Sequence, residues 1–205
     1  MLPYKKNLVD DFYNDNLYLN ILKRKKPKGI NVFFRKILSE PIEITSFIRK
    51  KKAFEDIKIV LSQLLPKKFQ DNIFYYTWIK DMSEICILYA NIIKEKDVVF
   101  SLKSSRGCKR YHIDNVPLRL LVTYYGIGTE WLPRDACDYT AYYNGESNDK
   151  IIRIKNKSKF IDSWNIAIFK GQKINGRKKA ILHRTPKEAL NKKSLLMCLD
   201  SQSIT

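Results

Sequence analysis

The sequence predicts an α+β protein, with helices from its N-terminal half packed on a jelly-roll core formed by its C-terminal half. Three observations predict it. Apolar residues recur at helical spacing in one long stretch, residues 71–92, where Trp78, Met82, Ile85, Tyr89 and Ile92 follow at three- and four-residue steps. From residue 97 onward the chain is a succession of short β-type runs. Between those runs stand Gly126, Gly128, Pro133, Asn144-Gly145, Gly171 and Asn175-Gly176. Many short strands divided by close-set turns suit packed antiparallel sheets better than a parallel sheet, which needs a helix between successive strands.

Residues 1–28 mix Asn, Asp and Lys with isolated apolar residues and read as a basic arm, loosely structured or a short helix. The rest, 29–205, reads as one domain, with helical support over 40–95 and a β-rich core over 97–200. Ile30-Asn31-Val32-Phe33-Phe34 predicts a strand. Thr45 is an N-cap candidate for a short helix through Phe47-Ile48, and residues 57–61 predict a second strand ended by Pro66. After the long helix, strands are predicted at 97–102, 112–113, 118–125, 151–154, 164–169, 180–182 and 195–199.

The length supports one sizeable core. The N-terminus has no charged-then-apolar leader, and no apolar run approaches the ~18 residues of a membrane span. Cys86, Cys108, Cys137 and Cys198 are widely spaced with no Cys-x-x-Cys pair, which argues against a zinc ribbon or a dithiol redox motif. These features lead to the expectation of a soluble cytoplasmic protein with free thiols and no membrane partner. The net charge of +18 points to a nucleic acid or another acidic partner, with clusters at Lys23-Arg24-Lys25-Lys26, Arg49-Lys50-Lys51-Lys52 and Arg177-Lys178-Lys179. Only ten of the 39 basic residues are Arg, however, and a Lys-, Ile- and Asn-rich composition yields the same charge as a solvated surface.

The chemistry-bearing motif is Tyr111-His112-Ile113-Asp114, with the chain's second and last histidine at His183. On a strand, residues i and i+2 face the same side, so His112 and Asp114 can chelate one ion, and His183 from a neighbouring strand completes a two-histidine, one-carboxylate set. That set leaves three adjacent coordination positions open on a non-haem Fe(II). Cys108, four residues before His112, is either a plain buried cysteine or a thiolate that biases the site to zinc.

The surrounding residues carry a resemblance. Arg119, Thr123, Tyr124, Tyr125, Gly126, Gly128, Thr129 and Glu130 follow the His-x-Asp in that order, Trp164-Asn165-Ile166-Ala167-Ile168-Phe169 precedes the distal His183, and Pro186 and Lys193 follow it. In this the chain resembles the prolyl-hydroxylase type of Fe(II)/2-oxoglutarate-dependent oxygenases, whose core is a double-stranded β-helix, jelly-roll and cupin-like. The resemblance implies Fe(II) at His112, Asp114 and His183, with 2-oxoglutarate as co-substrate. It implies pairing of Lys193, or its neighbour Lys192, with the far carboxylate of 2-oxoglutarate, and a hydroxyl from Tyr124 or Tyr125 beside it. Arg119 is an alternative carboxylate clamp, because its planar fork suits bidentate binding. Trp164-Asn165 stands where that group has Gly-Asp, and Arg184, a further candidate for binding the co-substrate, lies outside its pattern. Residues 108–200 also resemble an uncharacterised bacterial domain-of-unknown-function family, through Cys-x-x-x-His-x-Asp (Cys108, His112, Asp114), Arg-Leu-Leu-x-Thr-Tyr-x-Gly-x-Gly-Thr-x-Trp (Arg119 to Trp131) and His-Arg-Thr-Pro (His183 to Pro186). The function expected is an Fe(II)/2-oxoglutarate dioxygenase of unassigned substrate. A zinc-binding or non-catalytic jelly-roll protein and a basic nucleic-acid-binding module are the alternatives.

Overall fold

A computed structural model describes residues 17–175 and 180–201. Nine strands in these residues form two antiparallel sheets. The strands are β1 (Leu19–Leu22), β2 (Glu43–Arg49), β3 (Asp97–Lys103), β4 (Leu118–Tyr125), β5 (Glu130–Trp131), β6 (Lys159–Phe160), β7 (Ile166–Lys170), β8 (His183–Arg184) and β9 (Leu195–Asp200). The larger sheet has the order β1-β7-β4-β9-β3-β2, and the smaller β6-β5-β8. His112 bridges to His183 and so extends the smaller sheet beyond β8. From β3 to β9 the chain passes back and forth between the sheets: β3 in the larger, His112 beside the smaller, β4 in the larger, β5 and β6 in the smaller, β7 in the larger, β8 in the smaller, β9 in the larger.

Helices cover one face of the larger sheet. They are α1 (Ile30–Ile37), α2 (Ala53–Ser62), α3 (Lys67–Gln70) and α4 (Ile73–Ile93), with the short α5 (Tyr139–Tyr143), α6 (Asn148–Ile151) and α7 (Gln172–Asn175) in later connections. The α4 helix is the one its periodicity predicts. Asn72 caps it by accepting from the Phe74 N–H at 2.9 Å, Lys94 ends it in the left-handed region, and Trp78, Met82, Ile85, Tyr89 and Ile92 are all buried. These side chains pack against Val98, Phe100 and Leu102 of β3, Leu118, Leu120, Val122 and Tyr124 of β4, and Leu195, Met197 and Leu199 of β9. Strand alternation then turns Arg119, Leu121 and Thr123, Ala167 and Phe169, and Leu196, Cys198 and Asp200 to the other face, toward the smaller sheet.

Several local expectations are corrected, each for a period reason. Residues 30–34 are helical: extended by one turn, the run buries Ile30, Phe33, Phe34 and Ile37, the i, i+3, i+4, i+7 stripe of a helix. Residues 57–61 likewise belong to α2, where Ala53, Ile57 and Leu61 recur every four residues. Thr45 caps no helix. It lies in β2, whose Ile44 and Ile48 are buried while Thr45 and Phe47 face outward. The supporting region over 40–95 therefore contains a strand as well as helices. The strand expected at 151–154 is not formed: Ile151 ends α6 and Ile152 makes an isolated bridge to Cys137, and the pairing expected at 180–182 begins one step later, at His183. The arm expected over 1–28 lies mostly outside the described residues, but Leu19–Leu22 form an edge strand on β7, with no helix there.

Trp164 stands in an uncommon backbone conformation. Its φ of 74° lies in the left-handed region that favours glycine. The backbone is held there by the Trp164 N–H donating to the Thr123 carbonyl and by the Arg24 Nε donating to the Trp164 carbonyl at 2.8 Å, while the indole packs edge-on against Tyr124 at 5.0 Å. Burial of the indole offsets a strain of about 1 kcal/mol.

Candidate metal centre

His112, Asp114 and His183 converge, each offering a ligand atom within 4.8 Å of the others. The backbone brings them together. The His112 N–H donates to the His183 carbonyl at 3.0 Å, and the His183 N–H returns the bond at 3.1 Å, which sets the rings 4.4 Å apart. Asp114 is fixed by a close crossing of chains. The Gln172 N–H donates to its carbonyl at 2.9 Å, and a Cβ on Gly171 would meet the Val116 carbonyl oxygen at 1.9 Å and that of Asp114 at 2.8 Å. Only glycine fits this crossing. Phe169 of β7 lies 4.5 Å from the His183 ring and forms the floor.

The protonation pattern follows from the partners. His112 Nδ1 lies 3.1 Å from the Arg110 carbonyl, and His183 Nδ1 lies 3.2 Å from that of Ile181. A carbonyl only accepts, so each Nδ1 carries a proton and each Nε2 is left to face the carboxylate. His183 Nε2 lies 3.2 Å from Asp114 Oδ2 and His112 Nε2 lies 3.8 Å from Oδ1. Asp114 and His183 are each only 4% exposed, and Asp114 Oδ2 is a buried oxygen that receives no hydrogen bond. Lone pairs aimed at a buried carboxylate are favourable only with a positive charge between them, either a proton or a metal ion. The donor set therefore fits a divalent cation. Burial, reinforced by the neighbouring His183, pushes His112 down to about 4, so its imidazole is neutral and ready to ligate at neutral pH. Burial alone would raise the Asp114 carboxyl, but His183, Arg119 and His112 together hold it well below the usual carboxylate range.

Arg119 reaches the centre from β4. Its Nη1 donates to Asp114 Oδ1, while Nε and Nη2 donate to the two carboxylate oxygens of Asp200 at 2.8 Å each. The guanidinium is thus committed to two carboxylates, one a metal-ligand candidate, and it fixes which Asp114 oxygen remains available. Cys198 faces the same cluster, with Sγ 3.8 Å from Asp200 Oδ2, and burial pushes its thiol up.

The other sequence candidates lie elsewhere. Lys192 and Lys193 are exposed on the loop before β9. Tyr124 points to the helix side, where its hydroxyl donates to Asp81 at 2.7 Å, and Tyr125 packs on the same side near Phe34. Arg184 is on the outer face of the smaller sheet, where its Nε donates to Glu130 at 2.7 Å beside a cavity of about 460 Å³. Cys108 is exposed and outside the ligand cluster. Of the basic clusters, Arg49-Lys50-Lys51-Lys52 borders a cleft of about 450 Å³ with Lys96, Glu95 and Asp97. Arg24 turns inward to Asp81, and Arg177-Lys178-Lys179 lies outside the described residues.

Sequence reasoning missed Asp200 and Arg106. Asp200 is the last residue of a strand whose inward face is read only once its pairing with Arg119 is known. Arg106 sits in the loop after β3 with its Nη1 donating to the Ile127 carbonyl at 3.0 Å and Nη2 to Thr129 Oγ1 at 3.3 Å, and nothing in Ser104-Ser105-Arg106-Gly107 signals these contacts.

Among the described residues, no helix is long and apolar enough to cross a membrane. No curated protein matches the chain. Residues 5–200 match the sequence profile described as "Protein of unknown function (DUF1826)", nearly the whole length on which the two sheets and the His-Asp-His cluster are built, and the chain belongs to that family.

Proposed function

We propose that this protein is a mononuclear non-haem Fe(II) oxygenase of the 2-oxoglutarate-dependent kind, built on a double-stranded β-helix, with His112, Asp114 and His183 as metal ligands. One observation carries the reading: the buried Asp114 Oδ2 receives no hydrogen bond and faces an imidazole Nε2 at 3.2 Å. The alternation of strands between two facing sheets supports the jelly-roll core. Two imidazoles and one carboxylate, with no thiolate among them, support iron over zinc.

Bound there, Fe(II) would supply oxygen activation coupled to decarboxylation of a 2-oxo acid, chemistry that side chains lack. The protein's own part is positional. The Arg110 and Ile181 carbonyls hold both imidazoles in the Nδ1–H tautomer, and Arg119 occupies Asp114 Oδ1. Phe169, Leu121, Ile181 and Trp131 form an apolar wall that limits water. Lys193, Lys192, Tyr124 and Tyr125 are not gathered at this centre, so no step is assigned to them.

The test is an anaerobic titration with Fe(II) and Zn(II), with and without 2-oxoglutarate, followed by oxygen exposure and a succinate assay. One ion per chain, a 2-oxoglutarate-dependent visible band with Fe(II), and succinate release abolished in His112→Ala are expected. Metal-replete protein that binds no 2-oxoglutarate and releases no succinate overturns the oxygenase reading, and tight zinc binding without turnover favours a zinc protein. A second reading, an acidic or nucleic-acid partner, is favoured by the Lys50, Lys51, Lys52 and Lys96 cleft. It predicts oligonucleotide binding that weakens steeply with salt, and absence of binding near 50 mM salt removes it.

A further inference from the structure

Among the described residues the larger sheet ends at β2, whose outer edge pairs with no strand. Hydrogen-bond parity shows which backbone groups face that edge. The Lys50 N–H donates to the Lys96 carbonyl and the Ser104 N–H to the Ile42 carbonyl, at 2.8 Å each, so the even-numbered residues of β2 turn their backbone groups to β3. The odd-numbered residues turn theirs away. Arg49, the last of them, donates its N–H to Asp56 Oδ2 at 2.9 Å, whereas the N–H and C=O groups of Glu43, Thr45 and Phe47 have no partner among the described residues. The side chains of these residues are exposed too, Phe47 by 63%.

An open edge is a template for another strand, and charges along it ordinarily oppose pairing. Here the charges are ordered by sign. Glu40 and Glu43 stand at the N-terminal end of β2, and Arg49, Lys50, Lys51 and Lys52 at its C-terminal end. Antiparallel pairing of β2 with a second copy of itself reverses one strand, so the acidic end of each meets the basic end of the other. A two-fold axis at Ser46 gives the register that uses all seven residues. It sets Glu43 opposite Arg49 and Thr45 opposite Phe47 of the second copy, and these odd-numbered pairs are the ones whose free backbone groups can exchange hydrogen bonds. The two Phe47 rings then lie on a diagonal of about 7 Å, within reach of each other, and cover apolar surface that a single chain leaves in water. In-register parallel pairing would instead oppose Glu43 to Glu43 and Arg49 to Arg49, which like charges disfavour.

We propose that this protein forms a two-fold homodimer by antiparallel pairing of β2 with β2 of a second copy, which joins the two larger sheets into one continuous sheet. The inference is independent of the metal reading. A single strand pair is a small interface, so a Kd of about 10 μM is expected, at the weak end of specific contacts.

Sedimentation equilibrium of the full chain under reducing conditions tests it. The wild type is expected to pass from monomer at about 1 μM to dimer at about 200 μM. Thr45→Pro removes an edge N–H and leaves the β2–β3 ladder whole, and Phe47→Lys, at an exposed position, guards against misfolding of the proline variant. Each is expected to weaken dimerisation at least about 10-fold. Glu43→Arg and Arg49→Glu are each expected to weaken self-association about 10-fold, and an equimolar mixture of the two is expected to recover wild-type dimerisation, since both end pairs are again opposite in sign. A wild type that stays monomeric at about 500 μM overturns the proposal. So does a dimer that survives Phe47→Lys and Thr45→Pro undiminished, which places the contact elsewhere, or a charge-reversed pair that gains nothing on mixing, which excludes this register.

Discussion

The two faces of the larger sheet are built from the same strands and differ completely in chemistry. Toward the helices, Leu118, Leu120, Val122, Ile166, Ile168, Met197 and Leu199 are buried against Trp78, Met82, Ile85 and Tyr89. One step along each strand, the other face presents Arg119, Cys198, Asp200 and Phe169 to the histidines. The register shows how close the two are. One row across the sheet runs Leu19, Phe169, Arg119, Asp200, Val99 and Phe47, passing from beneath the smaller sheet to a Phe47 that is 63% exposed. Helix cover makes one face a stability element. The smaller sheet covers only part of the other, which leaves room for chemistry.

The contrast can be broken from either side. Trp78→Ala on the helix face is expected to cost about 3–5 kcal/mol in urea unfolding while metal stoichiometry in the folded protein stays at one, because the lost volume lies on the far side of the sheet from the ligands. Asp114→Ala is expected to weaken metal binding by more than about 100-fold, read by competition with a chromophoric chelator, with little loss of metal-free stability. A large loss of metal-free stability would mark Asp114 as a structural ion-pair member. Arg119→Met is expected to lower metal affinity about 10- to 100-fold and to destabilise the metal-free protein more at pH 7 than at acid pH, since ionised Asp114 and Asp200 then face each other without their shared cation and protonation relieves the repulsion. Retained affinity would show that Asp114 needs no support at Oδ1.

The smallest effect belongs outside both faces, at Arg49 and Asp56. The Arg49 side chain and backbone N–H hydrogen-bond to the Asp56 carboxylate and hold its pKa below the usual carboxylate value. A depressed carboxylate stabilises the folded state above its unfolded pKa, and that stabilisation is lost as pH falls through the folded value. Asp56→Asn is therefore expected to lower Tm slightly at pH 7 and not at all near pH 2, and an equal loss at both pH values would trace the effect to packing.

The long helix was legible because its stripe repeats over several turns, and β3, β4, β7 and β9 because each is a short, mainly apolar run set off by polar or turn residues. Residues 30–34 and 57–61 differ from expectation because four apolar residues in a run of five fit either period, and only burial in the shared core selects the helix. The metal candidates were legible because His112 and Asp114 are two residues apart and His183 is the only other histidine. Tyr124 could not be placed from sequence. Its side depends on strand phase, and Tyr125 lies beyond a bulge on the same strand.

By itself the sequence determined the α+β class, the sheet-forming half and the three ligand candidates, because these rest on local periodicity and on residue types too rare to be replaced by neighbours. The tertiary structure decided which groups meet. It joined Arg119 to Asp200 across 81 residues, turned the Arg106 guanidinium in to Ile127 and Thr129, and put Lys193 outside. Those outcomes depend on strand order and on which face of a strand each sheet covers, and no local pattern encodes either one.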